Sequence, residues 1–177
     1  LDRKMKKNGL NMGKTDSDLF YSDNYLKTIL SDVKTIALVG ASSNWNRPSF
    51  FAMKYLLAKG YKVFPINPGV AGEKILGELV YSNLNELPVT VDMVDIFRKP
   101  VEAGGVTDEA IEHGAKVVWM QLGIINQEAA HRAEAAGLRV VMDRCPKIEF
   151  SRLFGELSWH GFNSKTITSK RRPVGKA

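Results

Sequence analysis

The residues with chemical potential fall in five short segments, each placed directly after an apolar run. The first reads Gly40-Ala41-Ser42-Ser43-Asn44-Trp45-Asn46-Arg47-Pro48. Small residues let backbone N–H groups approach an anion, the two serines add hydroxyl donors, and Arg47 adds a forked cation matched to phosphate oxygens. A helix opening at Pro48 would add the partial positive charge of its N-terminus. This segment suits phosphate binding; the plainer alternative is a tight turn beside an exposed arginine. Asn67-Pro68-Gly69 is a strong turn signal. Arg98-Lys99-Pro100 sets two cations beside a proline, suited to phosphates or to capping an edge. Gln121-Leu122-Gly123-Ile124 carries a glycine that permits close backbone approach to a ligand. Asp143-Arg144-Cys145-Pro146 holds the one cysteine of the chain.

Several familiar chemistries are missing. A dinucleotide fingerprint would need glycine at positions 42 and 45, where the chain has Ser42 and Trp45. A nicotinamide dinucleotide site also needs an acid after the second strand to hold the ribose diol. Here that place reads Ile66-Asn67-Pro68-Gly69, and the next acid is Glu73. An NAD(P)-binding oxidoreductase-like domain is therefore disfavoured and stands as the alternative. Neither a G-x-S-x-G elbow nor a Gly-Lys-Ser/Thr phosphate loop is found. Tyr55 and Lys59 have the spacing of a dehydrogenase pair but fall on the first helix after the glycine loop. His113 ends a helix, His131 lies inside one and His160 borders the tail; all three read as surface residues. Cys145 has two readings, a thiolate favoured by Arg144 or a small buried apolar side chain. The expectation is a binding protein without evident catalytic machinery.

The elements that must position these segments follow from periodicity. Strands are expected at residues 35–39, 61–66, 91–97, 116–121 and 139–143. Helices are expected at 20–30 (capped by Asp16 or Ser17), 48–59, 101–113, 126–136 and 150–157. Residues 74–81 are ambiguous, and 84–87 read as one helical turn. The runs IALV, VDMVDIF, VVWM and VVM are nearly unbroken apolar stretches. Such runs mark strands covered on both faces, hence a parallel sheet with helices on each side. The expected fold is α/β: a Rossmann-like doubly wound parallel sheet in three layers, α/β/α, as a single domain. In such sheets ligands sit at the strand C-termini, where the strand order reverses, and all five segments lie at that edge.

The chain of 177 residues, 44% hydrophobic and 25% charged, suits one globular domain. No apolar run approaches the roughly 18–20 residues that a spanning helix needs, so no membrane role is expected. One cysteine allows no internal disulfide, which points to a reducing, cytoplasmic setting. With three histidines beside it, a zinc site is not expected. The net charge of +6 is concentrated at the ends: +4 in residues 1–14, +5 in 165–177, and −3 between them. No structured nucleic-acid-binding surface is therefore expected. Residues 1–15 read as a disordered arm, 16–160 as the folded domain and 161–177 as a basic disordered tail. Phe50, Phe51 and Trp119 suit either a core or an interface, which leaves a homo-oligomer open.

Taken in order, VGASSNWNRPS, VFPINP, VDIFRKP, WMQLGI and VMDRCPKIE resemble the small stand-alone CoA-binding proteins of the bacterial YccU type. Those are similar in turn to the nucleotide-binding domain of the succinyl-CoA synthetase alpha subunit. The resemblance runs from about residue 30 to about residue 157. It implies a pocket for coenzyme A or an acyl-CoA along the strand C-termini. Gly40, Ala41, Ser42 and Ser43 would donate to the pyrophosphate, with Arg47 as a phosphate partner and Pro48 opening the helix. Asn67 and Pro68 would border the adenosine, whose ribose 3′-phosphate a carboxylate at that place would repel. Phe97, Arg98 and Val101 would line the adenine and pantetheine path. Gln121, Gly123 and Ile124 would face the pantetheine, and Asp143 and Cys145 would lie near its thiol end. No counterpart of the synthetase's phosphohistidine domain is expected in these residues, so the resemblance implies binding and not ligase chemistry. A ligand-responsive regulatory module is a third reading. It lacks a helix-turn-helix, for which the roughly thirty residues before the first strand are too few.

Overall fold

A computed structural model describes residues 19–155. The expected arm and basic tail, the capping residues Asp16 and Ser17, and His160 lie outside the described residues. Five strands form one parallel sheet: β1 (Thr35–Val39), β2 (Lys62–Ile66), β5 (Met93–Ile96), β6 (Val117–Met120) and β7 (Arg139–Val141). A hairpin of two-residue strands, β3 (Lys74–Ile75) with β4 (Glu78–Leu79), pairs separately and leads into a bridge from Tyr81 to Ile66 at the end of β2. The order is β2-β1-β5-β6-β7, so the strand order reverses between β1 and β5. That reversal opens a crevice at their C-terminal ends, between the loops that follow Val39 and Ile96.

Strand residues alternate between two cores. Ile36, Leu38, Val117, Trp119 and Val141 point to the face covered by α1 (Asp23–Asp32), α2 (Pro48–Ala58) and α5 (Pro146–Leu153). Ala37, Val39, Val94, Ile96, Val118 and Met120 point to the face covered by α3 (Pro100–His113) and α4 (Gln127–Ala135). Alanines 103, 110, 129, 130 and 133 make the second contact, and their small side chains let those helices lie close to the sheet. Trp119 is fully buried, which settles its place in the core. Its indole N–H donates to the Arg144 carbonyl at 2.8 Å and so fixes where the chain leaves β7.

The Rossmann-like reading holds, with local corrections. The first helix starts at Asp23 behind a Ser22 cap, whose hydroxyl accepts from the Tyr25 amide. The ambiguous stretch becomes β3 and β4, turned through Leu76 (φ 51°) and Gly77 (φ 87°), both left-handed as a tight hairpin turn requires. The last helix starts at Pro146 and not at residue 150, because proline's fixed φ suits the first helical position. That shift puts Cys145 at the helix cap. Among the described residues no helix is long and apolar enough to cross a membrane.

Candidate functional site

The crevice is a cavity of about 940 Å³, within the size range of small-ligand sites. Gly40, Ala41, Ser42, Asn46 and Arg47 form one wall, with Pro48, Ser49, Phe51 and Ala52 of α2 behind them. Phe97, Arg98 and Lys99 come from the loop after β5, Gln121, Leu122 and Ile124 from the loop after β6, and Cys145, Lys147 and Ile148 from the start of α5. Asn67 closes the end beside β2.

Gly40 is required at its position twice over. Its φ of +93° lies in the left-handed region, and a Cβ there would collide with the Phe97 carbonyl oxygen. The loops after β1 and β5 therefore pack against each other only through a bare backbone. Asn67 ties the far end: its side-chain amide donates to the Ala41 carbonyl at 2.7 Å and its oxygen accepts from the Gly69 amide at 2.9 Å. Both halves of this side chain are thus engaged by backbone, and a neutral amide oxygen already accepting one bond is a weaker partner for a ribose diol than a carboxylate would be.

Helix ends and charge agree about the sign of the cavity. Ser22 and Asn126 cap α1 and α4 with side-chain hydrogen bonds. The caps of α2 and α5 are Arg47 and Cys145; the Arg47 side chain satisfies no helix amide, and at α5 only the weakly accepting Cys145 sulfur faces the Lys147 and Ile148 amides. Ser49, in the first turn of α2, is only 5% exposed, and its hydroxyl has no partner among the described residues. Arg132, Arg139, Arg144 and Arg152 all sit in ion pairs. The remaining arginines of the described chain, Arg47 and Arg98, line the cavity without one, as do Lys99 and Lys147. No carboxylate lines it. A helix start without a side-chain cap, a free hydroxyl and four unpaired cations make a site for a polyanion.

A carboxyl does lie just beneath the wall. Asp95 of β5 is wholly buried, and Gln121 Nε2 donates to its two oxygens at 2.8 and 3.1 Å. Burial pushes the carboxyl up to about 8, against the pull of the Gln121 hydrogen bond. Cys145 is also buried. Burial raises its thiol, the amides of Ile148 and Lys147 counter this only in part, and nearby Asp95 adds to the rise. Arg144 turns away, donating to the Asp143 and Leu19 carbonyls. Cys145 is therefore a protonated thiol in the cavity wall, not the thiolate that an adjacent arginine could have produced.

Of the residues singled out from sequence, Gly40, Ala41, Ser42, Arg47, Pro48, Asn67, Phe97, Arg98, Gln121, Ile124 and Cys145 line this one cavity. Ser43, Pro68, Val101, Gly123 and Asp143 do not. Val101 is 84% exposed. Asp143, at a positive φ of 52°, accepts from the Gly123 amide at 2.7 Å, so this pair joins two loops behind the wall. Sequence reading did not single out Asn46, Ser49, Phe51, Ala52, Leu122, Lys147 or Ile148 as site residues, and it left Lys99 with two uses. The α2 and α5 residues among them are helical, so which way they face depends on packing. Asp95 does carry a sequence signal, as an acid inside a run that reads as buried on both faces. His113 accepts from the Val91 amide at 3.1 Å, away from the cavity.

Residues 34–151 match the family model described as CoA binding domain. A Bacillus subtilis protein known only as uncharacterized protein YneT is 36% identical over 123 residues, covering 70% of this chain and 90% of its own. A hypothetical protein from Pyrococcus horikoshii is similar in structure with a TM-score of 0.73 and 41% identity, covering 76% of this chain and 94% of that one. An acetyl-coenzyme A synthetase 1 of Ca. Korarchaeum cryptofilum, described as dinucleotide forming, shares the fold at a TM-score of 0.56 and 28% identity. That match covers 62% of this chain and 26% of the synthetase chain.

Proposed function

Because this chain belongs to the CoA-binding domain family, we infer that its cavity takes coenzyme A or an acyl-CoA. The observation that carries the reading is the set of unpaired cations, Arg47, Arg98, Lys99 and Lys147, around one cavity without a lining carboxylate. Coenzyme A bears a diphosphate and a ribose 3′-phosphate, so it needs several cations and no acid at the sugar. NAD needs the reverse at the sugar, a carboxylate for its ribose diol, and the place after β2 offers only the neutral Asn67, already bonded to backbone through both halves.

In this reading the N-terminus of α2, Ser42 and the free Ser49 hydroxyl meet the diphosphate, with Arg47 beside them. Arg98 and Lys99 meet the 3′-phosphate. The pantetheine arm runs over Gln121 and Ile124 toward Cys145. The lining brings no nucleophile together with a base, since its only thiol is held protonated by burial. We therefore assign binding to this chain without chemistry of its own, in a reducing compartment such as the cytoplasm. Native mass spectrometry of the purified full chain tests the assignment. The expected spectrum shows a species heavier by one coenzyme A, present on isolation or formed on adding it. A chain that stays unliganded at excess coenzyme A would overturn it.

A further inference from the structure

Asp95 is the one carboxyl of the described core that no cation accompanies. Glu149, the other buried acid, is paired with Arg152 at 2.7 Å. Asp95 lies in mid-strand, in register with Leu38 on one side and Trp119 on the other, and its hydrogen bonds come from Gln121 Nε2 alone. A buried carboxyl with a single neutral donor costs stability that an apolar residue would not, so packing does not explain it.

Its geometry does suggest a use. Gln121 is 5% exposed and lines the cavity. With its amino group drawn back onto Asp95, its carbonyl oxygen Oε1 is left on the cavity side with no partner among the described residues. A glutamine free to rotate would offer that oxygen only part of the time. We propose that Asp95 is a positioning residue that holds the Gln121 amide so that Oε1 accepts an N–H of the ligand's pantetheine arm. The site would thereby recognise a secondary amide running past β6, in addition to phosphates at α2. This rests on the coenzyme A reading above and adds to it the group that reads the arm. A neutral carboxyl still accepts from Nε2 through its carbonyl oxygen, so the hold does not require ionisation. Cys145 is the titratable side chain that shares its surroundings.

The test is calorimetric titration of the full chain with two probes, coenzyme A and adenosine 3′,5′-bisphosphate, which lacks the arm. D95L is expected to bind coenzyme A about threefold to tenfold more weakly, with one lost ligand hydrogen bond as the upper limit, and to bind the bisphosphate as wild type does. D95N keeps an oxygen that accepts from Nε2 and is expected within about twofold of wild type on both probes. Q121L, which removes the acceptor itself, should lose at least as much as D95L, and the double variant should lose no more than Q121L alone. A D95L or Q121L chain that binds coenzyme A normally, or weakens on both probes alike, overturns the proposal. Wild type that binds neither probe overturns the coenzyme A reading itself. D95L is expected to melt no lower than wild type, which a loss caused by misfolding would contradict.

Discussion

Two aspartates three residues apart on the same segment titrate in opposite directions, and their surroundings explain why. Asp92 lies at the N-terminal edge of the sheet. Burial there opposes its charge, but Lys116 at 2.8 Å, the amides of Lys34 and Thr35, and the Thr35 hydroxyl outweigh burial and hold it at about 2. An acid held below its unfolded value contributes stability at higher pH and loses it as pH falls through the folded value. D92N should cost about 2 kcal/mol at pH 7. Thermal melts of variant and wild type should converge as pH drops from about 4 to about 2. Asp95 is the reverse case. Unfolded, it ionises near 3.8; folded, it keeps its proton to about 8. Stability therefore falls as pH rises between those values. D95N should raise the melting midpoint by at least about 10 °C at pH 9 and by progressively less toward pH 4. An unchanged midpoint at both ends would contradict the burial account. Of this pair, the sequence made only the anomaly of Asp95 legible, as an acid in an apolar run. Its partner Gln121 is twenty-six residues distant and meets it only because β5 and β6 pair.

At the scale of elements, the site depends on where helices begin. α2, α3 and α5 each open on a proline, Pro48, Pro100 and Pro146, and each follows a strand that ends at the crevice. The strands were legible because a doubly covered parallel sheet writes unbroken apolar runs, and the loops after them because glycine, proline and cations interrupt those runs. The helix faces were less so. Ser49 and Phe51 share α2 with core residues Ala52, Met53 and Leu56, and periodicity alone does not say which flank of that stripe borders a cavity. Lys147 was hidden by a helix start placed four residues late. Gly40 is where element packing and binding meet most tightly. G40A would force both an unfavourable φ and a clash with Phe97. It should cost about 1–3 kcal/mol of stability and lower coenzyme A affinity at least tenfold, read by denaturant melts and by titration of the still-folded fraction.

For the whole molecule, charge is distributed by function. Sequence shows +6 overall with a slightly negative middle, and only the fold shows that four cations of that middle converge. Cations kept apart from carboxylates repel one another, and a polyanion relieves that cost. R47A and R98A should each weaken coenzyme A about tenfold while leaving the melting midpoint within a degree or two, because neither arginine has an ion pair to lose. Raising the salt concentration should weaken wild-type binding and affect R98A less steeply. The central claim, that this crevice is built for a nucleotide with a phosphorylated sugar, is tested most directly by titrating the full chain with coenzyme A and with NADH under the same buffer. Saturable heat with coenzyme A and none with NADH is the predicted result; heat with NADH and none with coenzyme A would contradict it.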